Sequence, residues 1–272
     1  MDVAILAGLP FLGLFLATFS SFIGTGGGFL FVPALLLLFP NDAPGNIAFI
    51  TLMAVLANSL SGASAYGRFR RIDYRSGLIL AVGIVPGAIA GAFTTSHLGR
   101  DLFQVVFGTL SVLLALYLLF LMERLQRPEK IAQNQGDRTI TDVSGHVFTY
   151  RVRYDQGIIM ALVIGFIGGM LGIGGGPLLV TGMVGFLGFP MQIAAGTSQF
   201  TLVLSALAGG LAHLSQVNFH DVWLRALLLV LGVAAGAQIG PRLAYRASPR
   251  PIQRVLAAAM ILVGAWLIAG GL

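Results

Sequence analysis

At 272 residues the chain has the length of one or two soluble domains, but 57% of it is hydrophobic and only 10% is charged, against roughly 25% charged in a soluble domain. That balance cannot cover a water-soluble fold, so the chain reads as a polytopic membrane protein, and the absence of cysteine excludes disulfide frameworks, thiolate metal sites and thiol catalysis. A net charge of +6 would suit nucleic acid, but basic residues on membrane loops have a simpler origin, set out below.

The first apolar run, 3–23, follows Asp2, and no Lys or Arg precedes Arg68. A secretory signal needs a positive start, so this run is expected to stay in the mature protein. Further apolar runs follow at 29–39, 45–66, 76–96 and 101–121, several of them near the roughly 20 residues that span a bilayer. A polar linker, 122–156, comes next; of the 16 basic and 10 acidic residues in the chain, 11 fall between Glu123 and Asp155. Within it RTITDVSGHVFTYRVRYD alternates polar and apolar residues around Ser144-Gly145, a period of two that predicts a small β-hairpin. The hairpin is expected to be a spacer folded back on the loops rather than a regulatory or partner surface. A second set of runs occupies 157–171, 177–188, 191–214, 222–242 and 251–271.

The two sets are copies of one another. Gly24-Thr25-Gly26-Gly27-Gly28-Phe29-Leu30 matches Gly172-Ile173-Gly174-Gly175-Gly176-Pro177-Leu178, and Phe39-Pro40, Thr51-Leu52, Gly87 and Gly91 match Phe189-Pro190, Thr201-Leu202, Gly236 and Gly240 at offsets of 148 to 150. Such regularity marks a duplication. The loop after the third run carries Arg68, Arg70, Arg71 and Arg75 in copy one and no cation in copy two; the next loop carries only Arg100 in copy one, but Arg242, Arg246, Arg250 and Arg254 in copy two. The positive-inside rule then places those clusters and the linker in the cytoplasm, accounting for 14 of the 16 basic residues. An odd number of runs per copy inverts the second copy, so both termini are expected outside. Arg225 is the one cation that could fall inside a span, and it is expected to snorkel to the interface.

Runs 29–39 and 177–188 are too short to cross a bilayer, and each follows a glycine cluster. The pattern predicts hairpins that enter the membrane, break at the glycines and return. Unwound backbone at membrane depth must be buried in protein or line a wet cavity, and paired broken helices with N-termini aimed inward suit an anion. Gly26, Gly27, Gly28, Gly174, Gly175 and Gly176 are the candidate backbone donors, with Thr25, Thr197 and Ser198 as hydroxyl donors. Ser198, Thr201 and Ser205 share one face of run 191–214 beside an expected second break at Ala195-Gly196-Thr197, and Thr51 and Asn58 share a face of run 45–66. Singly, such serines and threonines more often bond their own helix. His213 reads as a satisfied interfacial side chain. The nucleotide-loop pattern G-x-x-x-x-G-K-[ST] is absent, and no acid, base or metal constellation lies within a run, which argues against an enzyme, a bound metal or a cofactor.

The segments Gly24 to Pro33 and Gly172 to Thr181, with Ala195-Gly196-Thr197-Ser198, resemble the sulfite exporter TauE/SafE family of bacterial membrane transporters across both copies but not the linker; Thr181 stands where copy one has Pro33. The resemblance implies a multi-pass permease of the cell (inner) membrane for small sulfur-containing anions such as sulfite, thiosulfate, sulfoacetate or other organosulfonates. The expected fold is an all-α integral membrane protein of two inverted-topology repeats, 1–121 and 157–272, each of about five helical segments with a glycine-broken hairpin. Its partners would be a small anionic substrate and the lipid bilayer, with no nucleic acid. All ten acidic residues fall outside the predicted span centres, which favours export driven by the membrane potential. An anion channel, or an ion-coupled uptake permease for the same substrates, is the alternative.

Overall fold

The computed structural model describes residues 3–23, 26–120, 138–244 and 249–271. Among the described residues the chain is all-α apart from one small hairpin, and its helices start and stop where local chemistry requires. The first glycine cluster separates α1, Val3–Ile23, from α2, Gly28–Leu38. Pro44 occupies the first turn of α3, Pro44–Arg68, where a missing N–H leaves no bond unmade. Asp73 caps α4, Tyr74–Thr95, by accepting from the Ser76 N–H, which satisfies one of the helix's orphan donors. Then come α5 (Arg100–Phe120), the hairpin strands β1 (Arg138–Thr141) and β2 (Val147–Tyr150), and α6 (Tyr154–Met170), α7 (Gly176–Gly185), α8 (Met191–Leu214), α9 (Phe219–Ala244) and α10 (Pro249–Gly271). Each apolar run forms a helix with ends displaced by a few residues. The run expected to reach 188 stops at Gly185, short of a turn in which Gly188 takes φ +73°.

Among the described residues α3, α4, α8 and the Val222–Gly240 part of α9 are long and apolar enough to cross a membrane. Helices α2 and α7, at 11 and 10 residues, extend only about 15–17 Å at about 1.5 Å per residue. Large apolar side chains such as Phe11, Val82, Leu231, Leu262 and Trp266 are more than half exposed, as a lipid-facing surface requires.

Helix pairing joins the two sets. Helices α3 and α8 pack on each other at the centre, α5 packs on α10, α1 on α9, and α6 on α4; α4 also packs on α8, and α9 on α3. The pattern is unchanged when α1–α5 and α6–α10 are exchanged. Glycines explain how closely these helices approach. A Cβ on Gly83, Gly87 or Gly91 of α4 would collide with the backbone of Ile158, Leu162 or Phe166 in α6, and a Cβ on Gly232 or Gly236 of α9 would collide with Pro10 or Leu14 of α1. Spacing of one small residue per turn lets helix backbones touch in a membrane, where packing rather than water exclusion drives association.

The hairpin pairs Arg138 with Tyr150 and Thr141 with Val147 in antiparallel register. Its turn is held by Asp142, whose side chain accepts from the N–H groups of Ser144 at 2.8 Å and His146 at 3.0 Å. The hairpin lies on the loop between α3 and α4. Arg138 and the Tyr150 hydroxyl donate to the Asp73 carboxylate, Arg71 donates to Asp142 at 2.8 Å, and the Val143 N–H reaches Phe69 O. Burial pushes the Asp73 carboxyl upward, but the hydrogen bonds from Arg138, Ser76 and Tyr150 together outweigh it and hold the group below its ordinary value. The stability this contact supplies is therefore full at neutral pH and is lost only as pH falls below the ordinary carboxylate range.

Arg225, near the start of α9, is ion-paired with Asp42 in the turn between α2 and α3, and its guanidinium lies 4.4 Å from the Phe39 ring centroid. His213, expected as a satisfied side chain, is fully buried and satisfied at one ring nitrogen only: Nε2 lies 3.0 Å from Gly169 O at the end of α6, and Nδ1 has no partner.

Candidate functional site at the glycine breaks

Both breaks depend on backbone angles that side chains rarely adopt. Gly26 and Gly27 have φ of +75° and +86°, and the matching Gly174 and Gly175 have +68° and +90°. Only glycine takes this left-handed region without strain. In each copy the second of the pair is the N-cap of the short helix, with no side-chain cap on the helix's free N–H groups. The positive ends of α2 and α7 are thus set up alike, except that Pro177 removes one N–H from the first turn of α7 where α2 has Phe29.

The two breaks meet. A Cβ on Gly28 would come within 2.5 Å of Ile173 Cα. The central pair α3 and α8 lines the junction: Ala48 touches Gly172, Val55 lies against Gly174, and Leu202 reaches both Gly26 and Gly174. Ser59 Oγ is 3.7 Å from a Cβ built on Gly26, and Ser20 Oγ is 2.8 Å from one on Gly27.

Polar atoms left without a partner concentrate here. Among the described residues six buried side-chain atoms have none, and four of them, on Thr51, Asn58, Ser59 and Gln199, belong to α3 and α8. A buried polar group without a partner is costly enough to call for an occupant. Asn58 accepts from the Ser21 hydroxyl at 2.6 Å through Oδ1, leaving Nδ2 unpartnered. Thr51 lies one turn from both Ala48 and Val55, on the stretch of α3 that meets the second break.

The structure brings Gly26, Gly27, Gly28, Gly174, Gly175, Gly176 and Asn58 together at this junction. Thr25 lies outside the described residues. Thr197, Ser198 and Thr201 sit toward the start of α8 with their hydroxyls engaged. Thr197 Oγ1 accepts from the Asp73 N–H at 2.9 Å, Ser198 donates to Ala195 O at 2.9 Å, and Thr201 donates to Thr197 O at 3.0 Å. The break expected at Ala195-Gly196-Thr197 does not exist, because α8 runs unbroken through it. Gly196 is instead a close-packing position, where a Cβ would collide with Arg71 O. Gly174 is also not a free donor: its N–H bonds Gly168 O at 3.0 Å and its carbonyl accepts from Ser205 at 3.1 Å. Ser59 and Gln199 escaped the sequence reading. The only available signal was a glutamine set in an apolar helix.

A sequence profile described as "Sulfite exporter TauE/SafE" matches residues 9–267. The chain is 34% identical to "Probable membrane transporter protein YunE" of Bacillus subtilis, over 97% of each chain. It is 29% identical to "Probable membrane transporter protein YdhB" of the same organism, covering 81% of this chain and 83% of that one. A probable membrane transporter protein of Methanocaldococcus jannaschii is 18% identical over 96% of this chain and 94% of its own. No solved structure matches the chain.

Proposed function

The chain belongs to the sulfite exporter TauE/SafE family and is a multi-pass membrane transporter, and from that premise we propose that it is a permease for a small sulfur-containing anion: sulfite, thiosulfate, sulfoacetate or another organosulfonate. The observation that carries the reading is the meeting of the two glycine breaks, Gly28 against Ile173, beside buried polar groups that lack partners. Free N–H groups at a helix start, with the positive end of its dipole, favour negative charge. Backbone of this kind at membrane depth must be buried in protein or line a wet cavity.

The proposal includes inverted topology, with residues 1–121 and 157–272 as oppositely oriented repeats and 122–156 as a cytoplasmic linker. The exchange-symmetric helix pairing supports it, as does the swap of basic loops between the copies. Cysteine substitution provides a clean test, since the chain has none. With an impermeant outside thiol reagent on intact cells, Arg70→Cys should be protected and Asn218→Cys labelled, although both follow the third long element of their copy. Equal behaviour at the two positions would overturn the inversion.

Export follows from energetics. Helices α1, α2, α7 and α8 contain no Asp or Glu, whereas proton-coupled pumps commonly carry such relays in the membrane. A negative interior expels an anion with about 2.3 kcal/mol per charge for each 100 mV, so export needs only a selective path. In proteoliposomes under a potassium–valinomycin potential, sulfite or sulfoacetate efflux should follow the voltage and saturate with concentration. Concentrative uptake that requires a proton or sodium gradient would reverse the assigned direction, and flux that never saturates would indicate a channel.

A further inference from the structure

The polar groups at the junction are neutral, and they are distributed unequally between the two breaks. Beside the first break, Ser59 and Asn58 are fully buried, and Ser59 Oγ and Asn58 Nδ2 have no partner. Ser59 faces Gly26, and Asn58 is oriented by Ser21 on the last turn of α1. Beside the second break, Gly174 has both backbone groups engaged and lies against Val55; Leu202 packs on Gly26 and Gly174 alike, and the one unpartnered side-chain group on the stretch of α3 that meets this break is the Thr51 hydroxyl. Ser59 and Asn58 carry hydrogen-bond donors, and they stand next to the uncapped start of α2, whose own N–H groups add to the same positive potential.

No Lys or Arg occurs anywhere in α1, α2, α6, α7 or α8, and the only one in α3 is Arg68 at its end. The cost of stripping water from an ion rises with the square of its charge, so a dianion costs about four times as much as a monoanion of equal size. A few neutral donors and one helix end offset a single charge. Without a cation in the site, nothing compensates a second.

We propose that the anion is held chiefly at the first break, with Ser59 and Asn58 as its side-chain donors, and that this site selects a monoanion over a dianion. The inference rests on the permease reading and narrows it to sulfonates with a single negative charge and singly protonated oxyanions such as hydrogensulfite, setting aside the dianions thiosulfate and sulfoacetate.

The test compares methanesulfonate with sulfate, which share a tetrahedral sulfur centre and differ in charge, in proteoliposomes of the full chain. Methanesulfonate flux should exceed sulfate flux by about tenfold or more, and one negative charge should cross per molecule. Ser59→Ala should reduce methanesulfonate flux by about tenfold, the loss of one hydrogen bond to a charged group. Ser111→Ala removes an equally buried and unpartnered hydroxyl on α5 and should leave flux unchanged. Sulfate moving as fast as methanesulfonate, or equal effects of the two serine variants, would overturn the monoanion site while leaving the permease intact. If methanesulfonate, sulfate, sulfite and thiosulfate all fail to cross, the permease reading itself falls.

Discussion

Valine at Gly27 should abolish anion flux in proteoliposomes, and valine at Gly175 should do the same, while both proteins still purify as folded, monodisperse species. At Gly27 the new Cβ would lie 2.5 Å from the Phe31 ring and 2.8 Å from Ser20 Oγ; at Gly175 it would lie 2.7 Å from Ile164 Cγ2. Each position also has φ near +90°, and forcing a branched side chain into that region costs about 1–3 kcal/mol. Against a total stability of about 5–15 kcal/mol that is tolerable, but a shift of even 1 Å at the start of α2 misplaces its donors. Gly8→Val is the control, because nothing lies within 4 Å of a Cβ at that position of α1. Full flux through Gly27→Val with an unchanged melting temperature would make the breaks packing features.

Much of the architecture was readable from sequence because the signals are local. Hydrophobic runs mark the helices, and doubled glycines mark the breaks. The alternation around Ser144-Gly145 marks a hairpin that the structure forms with Gly145 at φ +82°. What was not readable depends on partners distant in sequence. Gly196 resembles a break but serves a close approach to Arg71 O, since glycine permits both and only tertiary contact decides between them. Thr197 and Ser59 are equally plausible donors on composition, yet Thr197 bonds the Asp73 N–H, 124 residues away, while Ser59 is left unpartnered. The ion pair of Arg225 with Asp42, 183 residues apart, is of the same kind.

The central claim is that the anion passes the first glycine break beside Ser59, and chemical modification at that position addresses it most directly. In a chain without native cysteine, Ser59→Cys is close in size to serine and should transport nearly normally. A small methanethiosulfonate reagent carrying a sulfonate should react there and stop flux almost completely. Methanesulfonate should slow that reaction by occupying the site, and sulfate should not. Ser111→Cys, packed against Gly264 of α10, should remain unmodified and fully active. A Ser59→Cys protein that carries the modification and still transports at full rate would contradict the account.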